Sequence, residues 1–395
     1  MVRRMIITFL VMSLSFIQSG CWSSIEINQR SFARFMFIDK ADLGVELTLG
    51  FPLPNRMVAS KAGGDNGSPP FTYVTKSGEN ISEAYNQILA DLPRRVTFGQ
   101  MRNIFISKQL ATEVGLEPFI DFLSRQPGLH LNVNLFVVDG NSKEVGSIPM
   151  VFESFLTDIL LLYTKEKIVH SVTIKNMLIS IYRKGDFTLP ILTIGKSGVD
   201  FEKKRAQWMG TSGMAIFRNA KMVGTFDIKE TKGARWLFDD VYHAQYSVIS
   251  PTDGKLVTLI LRSSNTKIVP NISDTQIQLN IKCRSEASVM SSESSIDLTS
   301  SRELKSLEQS FETMLEGIIT KTITKSKAMK TDVFQFGQII KWRFPNEWNS
   351  LEGNWRDMYA SKLVINPQVD ISIKRIGAVQ KPEWNRFLHQ DEEPQ

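Results

Sequence analysis

The chain has 395 residues, 42% of them hydrophobic and 22% charged, with 47 Lys+Arg, 41 Asp+Glu and only two cysteines. At roughly 100–200 residues per domain this length predicts two or three domains, and the composition is that of an ordinary globular protein. A formal net charge of +6 is too diffuse to argue for nucleic-acid binding, and two cysteines exclude a disulfide-stapled scaffold.

The N-terminus has three parts. Arg3 and Arg4 are basic, Met5 to Ile17 carries no charge, and Gln18-Ser19-Gly20-Cys21 follows. That is the layout of a secretory signal. Its run of thirteen residues is too short to span a bilayer, which takes about 20 apolar residues. Residues 1–20 are therefore expected to be a cleaved signal peptide. Gly20 before Cys21 resembles the bacterial lipobox, with Gln18 where that motif favours Leu. The resemblance implies cleavage behind Gly20, a diacylglycerol on the Cys21 sulfur and a further acyl chain on the new N-terminus. Loss of Arg3 and Arg4 lowers the basic count from 47 to 45, against 41 acidic residues. Two acyl chains give stable anchoring where one binds only marginally. Cys283 then has no partner, and at the end of an alternating run it reads as a buried thiol.

Residues 21–205 read as a mixed α/β domain. Phe35 to Ile38 and Val45 to Phe51 are predicted strands around a turn at 39–44, and Ala59 to Pro70 is a Gly/Pro-rich loop. Ser82 opens a helix that Pro93 stops. Asn103 to Ser107 and Asn132 to Val138 fit buried strands separated by a helix over 118–125. Helices are expected over 152–165 and 173–182.

Lys203-Lys204-Arg205 marks a boundary before a small middle domain, 206–239, with a hairpin turning at 218–221 and a short helix over 229–238. Residues 240–380 are expected to form an α+β domain. Ile277, Leu279 and Ile281, and again Val369, Ile371 and Ile373, alternate with polar residues, which predicts an antiparallel sheet covered on one face. A long helix supplies the cover. Ser300 and Glu303 have capping-box spacing, and Leu304, Leu307, Phe311, Met314, Ile318 and Thr322 form its apolar stripe. Residues 381–395 are expected to be a tail, acidic over Gln390 to Gln395.

No motif for catalysis, a cofactor or a metal emerges. His130, His170, His243 and His389 are scattered, and no zinc or calcium pattern is present. Gly195-Lys196-Ser197 fails as a phosphate loop, because Pro190 stands where the first glycine belongs and proline has no N–H to offer. Asp239 and Asp240 read as solvated carboxylates. Arg94 and Arg95 follow a helix end and are suited to an acidic group. The chain is expected not to be an enzyme.

Several segments in order resemble the Ger(x)C spore germination proteins. Cys21-Trp22 is the family's mature start. Leu92-Pro93-Arg94-Arg95 with Phe98-Gly99-Gln100-Met101-Arg102 is similar to its Leu-Pro-Arg-Arg…Phe-Gly-His…Arg segment. Arg125-Gln126-Pro127 with Leu131-Asn132-Val133, Glu230-Thr231-Lys232-Gly233 with Trp236-Leu237, and Asp332-Val333-Phe334-Gln335-Phe336-Gly337 with Phe344-Pro345 and Trp348 continue the match. Gln100, Gln126 and Lys232 depart from the family's His, Asp and Arg. The resemblance implies three α/β domains in a lipoprotein on the outer face of the inner spore membrane. It implies a C subunit working beside membrane A and B subunits of a nutrient germinant receptor, without cofactor or metal. It raises Arg94, Arg95 and Arg102 as partner contacts, and it leaves direct nutrient binding open. The competing expectation, a solute-binding lipoprotein of a transport system, calls for two similar lobes.

Overall fold

The computed structural model describes residues 1–6, 26–53, 70–126, 128–148, 153, 155–201, 204–273 and 276–375. The expected signal peptide from residue 7 onward, Cys21, the loop expected over 59–70 apart from Pro70, and the tail from 381 lie outside them.

A short strand β1 (Arg30–Phe32) leads into β2 (Phe35–Lys40), which pairs antiparallel with β3 (Val45–Pro52). Gly44 makes the turn at φ +92°, and a Cβ there would lie 2.2 Å from the Gly78 carbonyl oxygen, so only glycine fits. Next to β3 lies β4 (Phe71–Gly78), an edge strand that the sequence pattern did not reveal. Helix α1 (Ile81–Asp91) opens on Asn80, whose side chain accepts the Glu83 N–H, and it ends two residues before Pro93.

Strand β5 (Arg95–Thr97) pairs in parallel with β1 as a separate two-stranded ribbon. The sheet's parallel centre is β2, β6 (Asn103–Ser107) and β7 (Asn134–Val138), with α2 (Lys108–Glu113) and α3 (Glu117–Arg125) in the crossover between the last two. Helices α4 (Leu156–Lys165) and α5 (Ile174–Tyr182) precede a long antiparallel run, β8 (Phe187–Phe201), β9 (Lys204–Arg218) and β10 (Lys221–Phe226). The order across the eight strands is β10-β9-β8-β7-β6-β2-β3-β4.

The central strands are apolar on both faces because both are covered. Met36, Ile38, Ile104, Ile106, Leu135 and Val137 pack with residues of α1, α3 and α5. On the opposite face Phe35, Phe37, Phe105 and Phe136 meet Leu156 and Leu160 of α4. The rings of Phe37 and Phe105 stack at 4.9 Å.

The segment expected as a small middle domain, 206–239, divides between the two sheets. Its hairpin, β9–β10, completes the eight-stranded sheet, which therefore runs past Arg205 to Phe226. Its helix α6 (Ile228–Leu237), capped by a reciprocal Asp227–Glu230 box, packs on the long C-terminal helix. Sequence spacing could show the hairpin but not which sheet it joins.

The second sheet has the order β11 (Tyr242–Ile249), β12 (Leu256–Ser273), β13 (Gln276–Ser292), β14 (Val364–Arg375). Its first three strands are antiparallel, as the alternation predicts. The last is parallel to β13, because the chain crosses the sheet through α7 (Ser301–Ala328), α8 (Phe336–Arg343), α9 (Pro345–Leu351) and α10 (Trp355–Ser361) before returning. Helix α7, about 42 Å long, buries Leu307, Phe311, Leu315, Ile319 and Ile323. Met314 and Ile318, expected in that stripe, are half-buried flanks: the helix meets the sheet along its i, i+4 row.

The same helix closes the sheet's edge. Glu308, Glu312 and Glu316 accept the backbone N–H groups of Ile373, Ile371 and Val369 at 2.8, 3.0 and 2.9 Å. Three carboxylates at helical spacing thus satisfy alternate donors of β14 that would otherwise offer pairing to another strand.

Candidate functional site

Two charged clusters stand out, one closed and one open. The closed one joins the two sheets. Asp186, just before β8, is 2% exposed and accepts two hydrogen bonds from the Arg356 guanidinium at 2.7 and 2.8 Å. It also accepts the Asp332 N–H at 2.9 Å. The Asp332 carboxylate accepts the N–H groups of Phe336 and Gly337 and the Trp355 indole N–H, at 2.9, 2.8 and 2.9 Å. Burial pushes its carboxyl up to about 6, against those hydrogen bonds, with Asp186 adding to the rise. Gln335 reaches across at φ +55° and donates to Ser180 Oγ at 2.6 Å.

Beside this clamp is a cavity of about 540 Å³, lined in part by Arg183, Gln338, Lys341, Trp348 and Trp355. A second bridge lies at Asp240. His170 Nδ1 is 2.8 Å and Lys167 Nζ 3.0 Å from its carboxylate, with Arg235 at 3.8 Å. Burial raises this carboxyl, but the His170 hydrogen bond and the cations together hold it below its usual range. Asp239 faces elsewhere, accepting Ser264 Oγ–H and Thr266 N–H. The adjacent pair therefore has separate structural partners.

The open cluster contains the sequence-predicted arginines. Arg94, Arg95 and Arg102 are all exposed. The β1–β5 register places Arg95 beside Arg30, and the Arg102 N–H donates to the Arg34 carbonyl at 3.1 Å. Arg30 and Arg34 are half-buried, and the Nε of each is shielded from solvent with no hydrogen-bond partner among the described residues. Among the described residues, none of the five guanidinium groups forms an ion pair with a carboxylate. Arg30 and Arg34 escaped the sequence reading. Arg30 opens a three-residue strand and Arg34 follows it two residues on, with no helical or alternating pattern, and only the fold brings them to Arg95 and Arg102.

Gly20 and Cys21 lie outside the described residues. Cys283 is buried within β13, and burial pushes its thiol up to about 11, which leaves it unreactive at neutral pH. Among the described residues no group of three or more His, Cys, Asp or Glu side chains is placed to hold a metal ion. No described helix is long and apolar enough to cross a membrane.

The motif residues sit at structural junctions. Gly233 of α6 lies against α7, where a Cβ would come 2.3 Å from Thr322 Oγ1, and Glu230 pairs with Lys325 at 2.5 Å. Gly337 lies against two indoles, and a Cβ there would be 2.7 Å from Trp348 and from Trp355. Such close approaches explain why Glu-Thr-Lys-Gly and Phe-Gly stand where they do.

This two-sheet α/β architecture, with its clamp at the Asp332–Gly337 segment, defines a known class of protein. The spore germination protein N-terminal domain matches residues 23–194, and the spore germination B3/GerAC-like C-terminal domain matches 212–377. The chain belongs to the Ger(x)C family of spore germination proteins. Spore germination protein KC of Bacillus subtilis (strain 168) is 24% identical over 98% of this chain and 99% of its own length. Spore germination protein B3 of the same organism is 25% identical over 91% and 94%. The crystal structure of the GerBC protein superposes with a TM-score of 0.57 at 19% identity, covering 89% of this chain and all of that one, which shows the shared fold.

Proposed function

We infer that this chain is the lipid-anchored C subunit of a nutrient germinant receptor, a non-enzymatic component that docks to membrane A and B subunits. The observation that carries the reading is the match of both family domains along nearly the whole chain, behind a signal-like N-terminus ending at Cys21. Acyl chains on Cys21 hold the folded sheets at the outer face of the inner spore membrane. That restriction raises their effective concentration near the membrane subunits. The architecture supports this reading over a solute-binding lipoprotein: an eight-stranded and a four-stranded sheet are not two similar lobes.

The test is Cys21→Ser in the sporulating host. The variant should leave the membrane fraction and germinate poorly on nutrients, while mass spectrometry of the wild type finds acyl chains on Cys21. Full membrane retention of the variant, with no lipid on the wild type, would end the anchoring claim. Crosslinking from the folded domains to the A and B subunits tests docking, and its absence in intact spores would count against it.

A further inference from the structure

We propose that the end of the eight-stranded sheet next to Arg34 and Arg102, together with Arg30, Arg94 and Arg95 on and beside the adjoining β1–β5 ribbon, binds the phosphate headgroups of anionic phospholipids. The proposal rests on the reading of Cys21 as the membrane anchor.

The two ends of the same parallel strands carry the argument. At the ends where β2 and β6 finish, cations are neutralised: Lys40 pairs with Glu113, Lys108 with Asp139 at 3.0 Å, and Lys143 with Glu46 at 2.8 Å. At the ends where they begin stand Arg34 and Arg102, joined through their backbones, with Arg30 and Arg95 one short strand away. Arg30 and Arg34 are four residues apart, so about 13 Å of extended chain separates them. The nearby carboxylates Glu26 and Asp91 are engaged by Asn28 and Lys76 instead.

Guanidinium forks match phosphate oxygens in geometry and charge. Five of them with no carboxylate partner among the described residues form a site for anions. Two exposed apolar side chains accompany them. Ile27 is 79% exposed and lies just before β1. Leu131 is 49% exposed, on the loop that leads into β7 beside Arg102. Basic groups interleaved with exposed apolar ones suit the boundary between headgroups and acyl chains.

The tether selects a membrane over an acidic protein segment as the partner. Arg30 lies nine positions after Cys21, a reach of at most about 32 Å. An acylated Cys21 therefore ties the chain to the bilayer from this end, with the neutralised end one strand length further along the chain. Each basic residue near an anionic surface is worth about a fivefold gain in binding.

The experiment is vesicle flotation of the processed chain, residues 21–395, carrying Cys21→Ser so that no acyl chain contributes. It should float with phosphatidylcholine vesicles that contain phosphatidylglycerol, not with phosphatidylcholine alone, and added salt should release it. Adding Arg94→Gln, Arg95→Gln and Arg102→Gln should weaken binding on the order of a hundredfold. Removing the same charge from the other end, by Lys40→Gln, Lys108→Gln and Lys143→Gln, should leave it unchanged. Equal binding to both vesicle types, or equal loss from both triple variants, overturns the proposal. So does absent vesicle binding combined with lost germination in the lipidated arginine variant, which assigns the surface to an acidic protein segment. Because no acyl chain is present, these results stand apart from mass spectrometry of wild-type Cys21, which tests the anchor alone.

Discussion

The clamp at Asp186 and the arginine end of the sheet use the same functional group in opposite ways. Arg356 spends its donors inside the protein, on Asp186, on the Lys330 carbonyl and on Asn219. Arg94, Arg95 and Arg102 lie outside, with no carboxylate partner among the described residues. A buried ion pair must be nearly complete to be tolerated, because an unpaired buried charge costs far more than the pair contributes. An exposed guanidinium carries no such penalty, so it can stay unpaired and keep its donors for something outside the chain. Completeness of pairing therefore separates the group that holds the two sheets together from the group available to a surface.

The largest effect expected from this contrast is at Arg356. Replacing it with Met strands the Asp186 carboxylate and should lower unfolding stability by about 3 kcal/mol, read as a shift of the urea midpoint. A loss below about 1 kcal/mol would show that the pair behaves like an ordinary surface salt bridge. Gly337→Ala should come next. Its Cβ would enter the space of Trp348 and Trp355, and overpacking of this kind costs about 1–3 kcal/mol. An unchanged midpoint would mean that the indoles yield freely.

Asp332 gives the clamp a pH dependence. Its folded carboxyl titrates near 6, above the ordinary 3.8. Between those values the folded chain holds a proton that the unfolded chain has lost. The contribution is complete below 3.8 and disappears as pH rises through about 6. Asp39, also raised by burial, acts in the same direction. The informative quantity is therefore the difference between wild type and Asp332→Asn, measured by denaturation from pH 4.5 to 7.5 (roughly the window those pKa values define). That difference should change across the window, and a flat one would mean that the carboxyl titrates normally. The smallest effect is at the open end. Arg94→Gln, Arg95→Gln and Arg102→Gln should each change stability by less than about 0.5 kcal/mol. A larger loss would place these arginines in the fold's own support.

Much of the chain was legible because its elements announce themselves locally. The helix after Asn80, the strand at Asn103–Ser107, the β9–β10 turn and the cap at Ser300 each rest on a period, a cap or a turn within a few residues. Elements that depend on distant partners were not. Strands β1 and β5 are three residues each and exist because they pair with one another. β4 alternates weakly, and among the described residues it is the last strand of its sheet. The helices α8 to α10 are too short for a clear stripe, and they are held by the Asp332 hydrogen bonds and the packing of Trp348 and Trp355.

Three things were therefore determined by sequence alone: the family, the signal-like N-terminus ending at Cys21, and the alternation and long capped helix of the C-terminal half. They depend on residue identity and short spacing, which a linear chain displays directly. Tertiary structure decided which sheet the middle hairpin joins, that β14 runs parallel to β13, and that Arg30 and Arg34 meet Arg95 and Arg102. It also decided that Asp186, 146 residues before Asp332, lies against it. These are pairings between distant segments, selected by burial and hydrogen-bond completion across the whole fold, and no local pattern encodes them.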